Sequence, residues 1–449
     1  MTTSVRWSSK TAFIFAAASA AIGLGNVWRF PFVTGQNGGG AFVLLYLLCV
    51  LVLALPLLIA EIALGRMGRQ NPISSIKQLA LDAGRSYRWA WMGFLMVLTS
   101  YLIVTYYVVI VGWVLDYFVR AVQGQLHFTT DVMAKQQFSL LQKNLWSMVV
   151  CGAVVVFLAC LILVMGIKKG LERAVYVIFP AMFVLLVLLL IYAMTTGHFA
   201  QGMAYLFYPD FSKLTAKVFV MALGQAFFSV GVGMGITLMF SAYLPEGMTV
   251  IEGAVGVVLA DTGFALLAGM IIFPIVFAHH LSPEAGPALI FQTLPLAFSN
   301  IPMSTLVASA FFLMLFLAAF SSVIALIEPA VCCVIECYQM QRKKAVLLLG
   351  VLCWLLSLCT VGSFVCPEWF SYHGVSFFEA LDYLTASIML PVSGVLMALF
   401  VGWCLQAEAM STELSWSSRS FSFRFWRFCM RWVVPVVIVM ILLSAVGLL

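Results

Sequence analysis

Eleven apolar runs, each long enough to cross a bilayer, constrain this chain more than any other feature. They fall at about 11–35, 40–64, 89–121, 146–166, 171–195, 216–241, 250–280, 303–337, 345–363, 376–405 and 430–448. Lipid offers a backbone N–H or C=O no partner, so only helices and closed barrels span it. Runs of about 20 apolar residues fit helices, whereas barrel strands need only about ten. With 64% of residues hydrophobic and 9% charged, a soluble domain is excluded. The net charge of +6 does not mark a nucleic-acid partner, because the basic residues sit in alternate loops. Arg6 and Lys10, the 66–88 loop, Lys168, Lys169 and Arg173, then Arg342, Lys343 and Lys344, then Arg419, Arg424 and Arg427 share one side. That side is expected to be cytoplasmic. With eleven spans, the C-terminus is expected on the opposite side. The N-terminal run imitates a signal peptide but is too long and is followed by too many spans, so it reads as an uncleaved first helix. The eleven cysteines are scattered through apolar runs, which reads as free thiols.

Two of the runs are internally broken. Ser19-Ala-Ala-Ile-Gly-Leu-Gly-Asn-Val-Trp-Arg-Phe-Pro31 places two glycines, an asparagine, an arginine and a proline inside the first span. Gln225 to Gly235 places Gly231, Gly233 and Gly235 inside the sixth. Glycine weakens a helix interior by about 1 kcal/mol relative to alanine. A broken helix survives in a membrane only where its freed polar groups face protein or a polar cavity. Five spans separate the two breaks, and an odd repeat is inverted in the membrane. Paired breaks in inverted halves point to a transporter's central site. The expected organisation is one transporter domain over 1–449, with repeats at 11–195 and 216–406 and an added span at 430–448. The proline-punctured 281–302 segment reads as a partly helical cap, and the basic, aromatic 407–429 segment as an interfacial loop or a lipid-binding patch. His279-His280 reads as an interfacial pair, not a metal site.

Gly23-Leu-Gly-Asn-Val-Trp-Arg-Phe-Pro31 and Asn37-Gly-Gly-Gly-Ala-Phe42 closely resemble the signature of the neurotransmitter:sodium symporter family. The resemblance continues through Pro56, Glu61, Gly65-Arg66, Tyr106-Tyr107, Gln225–Gly235 and Ser321-Ser322. It is nearest to bacterial members that carry leucine and other bulky hydrophobic or aromatic amino acids. It implies an all-α polytopic membrane protein of the LeuT-type 5+5 inverted-repeat fold, with broken helices 1 and 6 and eleven transmembrane helices. It also implies sodium-coupled amino acid symport across a bacterial inner membrane, with a lipid bilayer as surroundings. A sensor of the same fold that does not transport, or a symporter for another small zwitterion, is the alternative.

A zwitterion needs donors for its carboxylate and acceptors for its ammonium. The N–H groups of Leu24 and Gly25, at the start of a half-helix, suit the first. The carbonyls of Ala21, Phe228 and Ser229 suit the second. The resemblance adds the Tyr107 hydroxyl and a pocket of Ile103, Tyr107, Phe228, Gly231, Met234, Ser322 and Leu326. It implies one sodium site at Ala21, Asn26, Ser229 and Asp261, and another at Ser19, Ile22, Ala318, Ser321 and Ser322. Most of the family has asparagine at the Asp261 position, and many members bind chloride beside it. The nearby position that is acidic or serine elsewhere is Ala265, so Asp261 is expected to replace chloride.

Arg29 and Asp382 are expected to form an outer gate. On the cytoplasmic side Arg6, Trp7, Tyr243 and Glu336 are the gate candidates, although Arg6 is adjacent to Trp7 where the family arginine lies three residues before it. Glu61 is expected to brace the breaks, and no role is assigned to Glu328. Gly170 and Pro180 mark a weak cytoplasmic end of the fifth span. An enzyme would need a nucleophile with a base, or a metal cluster, at a membrane face. A channel would need a continuous polar stripe. The sequence supplies none of these, and it carries no signal for oligomeric state.

Overall fold

The computed structural model describes residues 6–195, 197–278, 289–299 and 302–448. Among them, nine helices are long and apolar enough to span: Gly40–Gly68, Tyr87–Val122, Leu145–Val164, Ile167–Met194, Val250–Ala278, Ser304–Tyr338, Arg342–Val365, Phe377–Cys404 and Phe421–Ala445. A tenth is the pair Lys10–Ala21 and Gly25–Gln36, bent by 57°. The sixth expected span consists of Ala216–Val230 and Ile236–Ser241, each too short to cross alone. A count of eleven rests on reading those two as one. His279-His280 and positions 281–288, 300 and 301 of the expected cap lie outside the described residues. The described part of the cap is helical, and Phe291 is buried against Tyr117 and Phe138.

The broken spans sit at the centre. Lys10–Ala21 buries Ala12, Ala16, Ala17 and Ala18, small residues that let helices approach closely in lipid. It packs on the fifth, seventh and eighth spans. The second span carries both halves of the sixth: Gly40–Cys49 packs on Ala216–Val230, and Leu55–Gly68 on Ile236–Ser241. At Gly65 a Cβ would lie 2.0 Å from the Leu238 carbonyl oxygen, so only glycine allows that approach.

The last span begins at Phe421, about nine residues before the expected start. Its first turns carry Arg424, Arg427 and Arg431, which disguised them as loop. They are helical because Ser420 caps the Phe423 N–H and because Phe423 and Trp426 bury an apolar face. The Trp426 indole donates to the Pro56 carbonyl.

Candidate functional site: a cavity between two broken helices

The first break starts where Ile22 turns to ψ 120° and leaves the helix. Asn26 returns its side-chain oxygen to the Gly23 N–H at 3.0 Å. The Leu24 N–H points to the Tyr107 hydroxyl at 3.4 Å. In the second break Gly231, Gly233 and Gly235 have φ of 67°, 87° and 71°, which other residues adopt only at a cost. Its freed amides are held by Glu61, which is fully buried. The carboxylate accepts from Gly233 N at 2.9 Å and Leu238 N at 3.4 Å, so of the two breaks expected to rest on it, it bonds to the sixth-span one.

Both breaks open on a cavity of about 610 Å³. Ala21, Leu24, Gly25, Ile103, Tyr107, Phe228, Ser229, Gly231, Met234, Ser322 and Leu326 all line it. Two details differ from expectation. The Phe228 carbonyl accepts from Gly231 N at 3.2 Å, so it is tied into the break. The Met234 methyl lies 3.4 Å from where a Gly231 Cβ would be, so Met234 fills part of the room the glycine leaves. Val220, Gly224, Thr237, Phe378, Ile441 and Ser444 also line the cavity and were missed. The four-residue step from Val220 through Gly224 to Phe228 could have revealed the first two, since residues that far apart share a helix face.

Beside the cavity lie two groups of hard oxygen atoms. In one, the Asn26 amide donates to Asp261 Oδ1 at 2.7 Å, and the Ser229 hydroxyl to Asp261 Oδ2 at 2.7 Å. All three residues are buried. The amide oxygen of Asn26 faces the Gly23 N–H and its nitrogen faces Asp261. In the other, the Ser321 hydroxyl reaches the Ser19 and Ala318 carbonyls at 2.8 and 2.9 Å. The Ser322 hydroxyl reaches the Ile22 and Ala318 carbonyls at 3.1 and 3.4 Å. Three carbonyls and two hydroxyls thus converge where the first and eighth spans meet, a donor set that fits a hard cation.

The candidate gates differ at the two ends. Arg29 and Asp382 both line the cavity, but no ion pair joins them among the described residues. The Arg29 guanidinium instead lies 4.4 Å over the Phe228 ring, a cation–π contact. At the face bearing Arg6, Trp7 is buried, and its indole donates to the Phe240 carbonyl at 2.9 Å. The Trp7 N–H donates to the Tyr243 carbonyl at 3.0 Å. Arg6 pairs with Glu246, not with Glu336. Glu336 accepts from the Asn71 N–H at 2.9 Å, bracing the cap of helix Pro72–Asp82. Three further contacts pin the N-terminal segment after Trp7: Ser8 to Glu172, Ser9 to Tyr176 and Lys10 to Glu252. Glu328, left without a role by the sequence, receives two hydrogen bonds of 2.7 Å from Arg342.

Two half-helices broken over one central cavity, with candidate gates at either end, define a secondary transporter of the LeuT fold. The chain belongs to the sodium:neurotransmitter symporter family, whose profile matches residues 5–137 and 132–448. The crystal structure of MhsT in complex with L-phenylalanine is similar, with a TM-score of 0.88 and 35% sequence identity over 98% of this chain and 99% of that one. An uncharacterized sodium-dependent transporter of Bacillus subtilis, YhdH, is 32% identical over 448 residues, covering 99% of this chain and 98% of that protein. One from Haemophilus influenzae is 32% identical over 447 residues, covering 98% and 97%. The protein is a sodium-dependent, multi-pass membrane transporter.

Proposed function

We propose that this chain imports a bulky hydrophobic or aromatic amino acid by sodium-coupled symport, with two sodium sites and without chloride. The observation that carries the reading is the single cavity onto which the pocket residues and both breaks open. The breaks contribute polar groups, while Ile103, Phe228, Met234 and Leu326 give the cavity apolar walls. A carboxylate fits at the N–H groups of Leu24 and Gly25 with the Tyr107 hydroxyl. The bound L-phenylalanine of MhsT supports the substrate class. The two oxygen clusters support two sodium sites: Ala21, Asn26, Ser229 and Asp261, and Ser19, Ile22, Ala318, Ser321 and Ser322. Asp261 supplies there the negative charge that chloride would otherwise bring. Arg29 and Asp382 close the outer side, and Trp7 and Tyr243 the inner one. The repeats are 11–195 and 216–406 with an added span at 430–448, in a bacterial inner membrane with the N-terminus cytoplasmic and the C-terminus outside.

Counterflow in proteoliposomes tests this. Labelled leucine, phenylalanine or tryptophan should exchange only with sodium present, and gluconate in place of chloride should leave the rate unchanged. Stronger competition by glycine or GABA than by leucine and tryptophan refutes the pocket assignment. Abolition of uptake by gluconate refutes the role of Asp261. Sodium-dependent binding without counterflow identifies a sensor.

A further inference from the structure

The last span enters the fold with unpaired positive charge. Arg427 donates to the Leu405 carbonyl at 3.2 Å, and Arg431 to the Gly402 carbonyl at 2.6 Å. Both carbonyls belong to the end of the tenth span, so the two guanidiniums lie across the same helix terminus. They are electrostatic neighbours of each other, and Glu408 offsets Arg427 only in part. Arg85 exerts its charge on Cys404 at the same terminus. None of these arginines joins an ion pair among the described residues. The Nε of Arg427 is buried without a partner. Gly402 is what lets Arg431 lie flat, because a Cβ there would sit 3.0 Å from Arg431 Cγ.

The surroundings say what would neutralise that charge. Trp403 and Trp432 meet edge to face at 5.1 Å, and the Arg431 guanidinium lies 5.2 Å over the Trp403 ring. Both indoles and Phe428 are about half exposed. Below them the helix continues apolar as Val434–Ala445. Indoles gather at the level of lipid headgroups, and a guanidinium fork matches the oxygens of a phosphate. Along the last span Arg427, Arg431, Trp432 and then the apolar Val434–Ala445 follow one another, the order of phosphate, glycerol and acyl chain. A free phosphate would use only the first of these three.

We propose that the cleft between the ends of the tenth and eleventh spans binds an anionic phospholipid, with its phosphodiester on Arg427 and Arg431 and its glycerol region against Trp403 and Trp432. Neutral carbonyls anchor the arginines but leave their charge uncompensated, so a zwitterionic headgroup gains less there than an anionic one.

Native mass spectrometry of the full chain in mild detergent tests the site, with phosphatidylglycerol, phosphatidylcholine and inorganic phosphate titrated separately. Wild type should retain one phosphatidylglycerol at collision energies that strip phosphatidylcholine. R427Q, and R427Q with R431Q, should weaken that binding at least tenfold, whereas K344Q, an exposed charge on the same face, should not. Because Arg431 also braces Gly402, R427Q is read alone as well as in the pair. Equal retention of phosphatidylglycerol by R427Q and wild type overturns the proposal. So does displacement of the lipid by millimolar phosphate, which would mark a free-anion site, or equal retention of phosphatidylcholine.

Discussion

Asp261 takes hydrogen bonds from Asn26 and Ser229 on its two oxygens and is fully buried. A buried carboxylate is costly unless it is paired or ligates a cation, and its two partners here are neutral. Replacing it by asparagine keeps the shape and removes the charge. In D261N the sodium concentration for half-maximal uptake should rise at least about tenfold, equal to about 1.4 kcal/mol. An unchanged sodium curve would make Asp261 structural. S321A removes the hydroxyl that reaches the Ser19 and Ala318 carbonyls. Its half-saturating sodium should also rise, while substrate affinity at saturating sodium stays near wild type. Loss of substrate affinity under those conditions would place Ser321 in the substrate pocket. At this scale the sequence was legible in placement where one short motif decides it: Tyr107 and Ser322 line the cavity, and Asn26 and Ser321 bond to the groups beside it. It was opaque for charges whose partners come from loops. The Arg6 partner Glu246 and the Glu328 partner Arg342 are set by how loops fold back, and no periodicity encodes that.

Among elements, the glycines of the sixth-span break deserve the clearest test. Gly233 has φ 87°, and a Cβ there would meet the Leu390 carbonyl at 3.3 Å. A left-handed L-residue costs about 1–2 kcal/mol, so G233A should lower the thermal midpoint by several degrees and depress uptake. G152A, inside helix Leu145–Val164 with nothing within 4 Å of the new methyl, should be at least as stable as wild type. A G233A chain as stable as G152A would mean that the break relaxes freely. Both breaks could be read from sequence because glycine is the residue that tolerates them. The start of the last span could not, because its buried face is only Phe423 and Trp426 among arginines that favour the interface.

Over the whole molecule the two ends are unequal. Trp7 is buried and Ser8, Ser9 and Lys10 are each pinned, whereas Arg29 and Asp382 line the cavity without pairing. The face bearing Arg6 is therefore the shut one here. Its latch includes Glu172, one residue past the π-helical turn Ile167–Leu171 that contains Gly170. E172Q should weaken the hold on Ser8 and speed hydrogen exchange in Lys10–Ala21 at fixed sodium. Exchange identical to wild type would remove Glu172 from the latch. The asymmetry was not legible, since one sequence encodes every state of the cycle and marks none as resting.

Glu61 holds Gly233 and Leu238 with one carboxylate, so it grips the chain on both sides of Gly235. The glycines look like a free joint, but the joint is bolted to the second span. Ile236–Ser241 cannot swing alone without stripping partners from a carboxylate deep in the protein. The Gly65 contact one helical turn further on adds a second bolt. Motion at the shut face must therefore carry the second span along as part of the same lever.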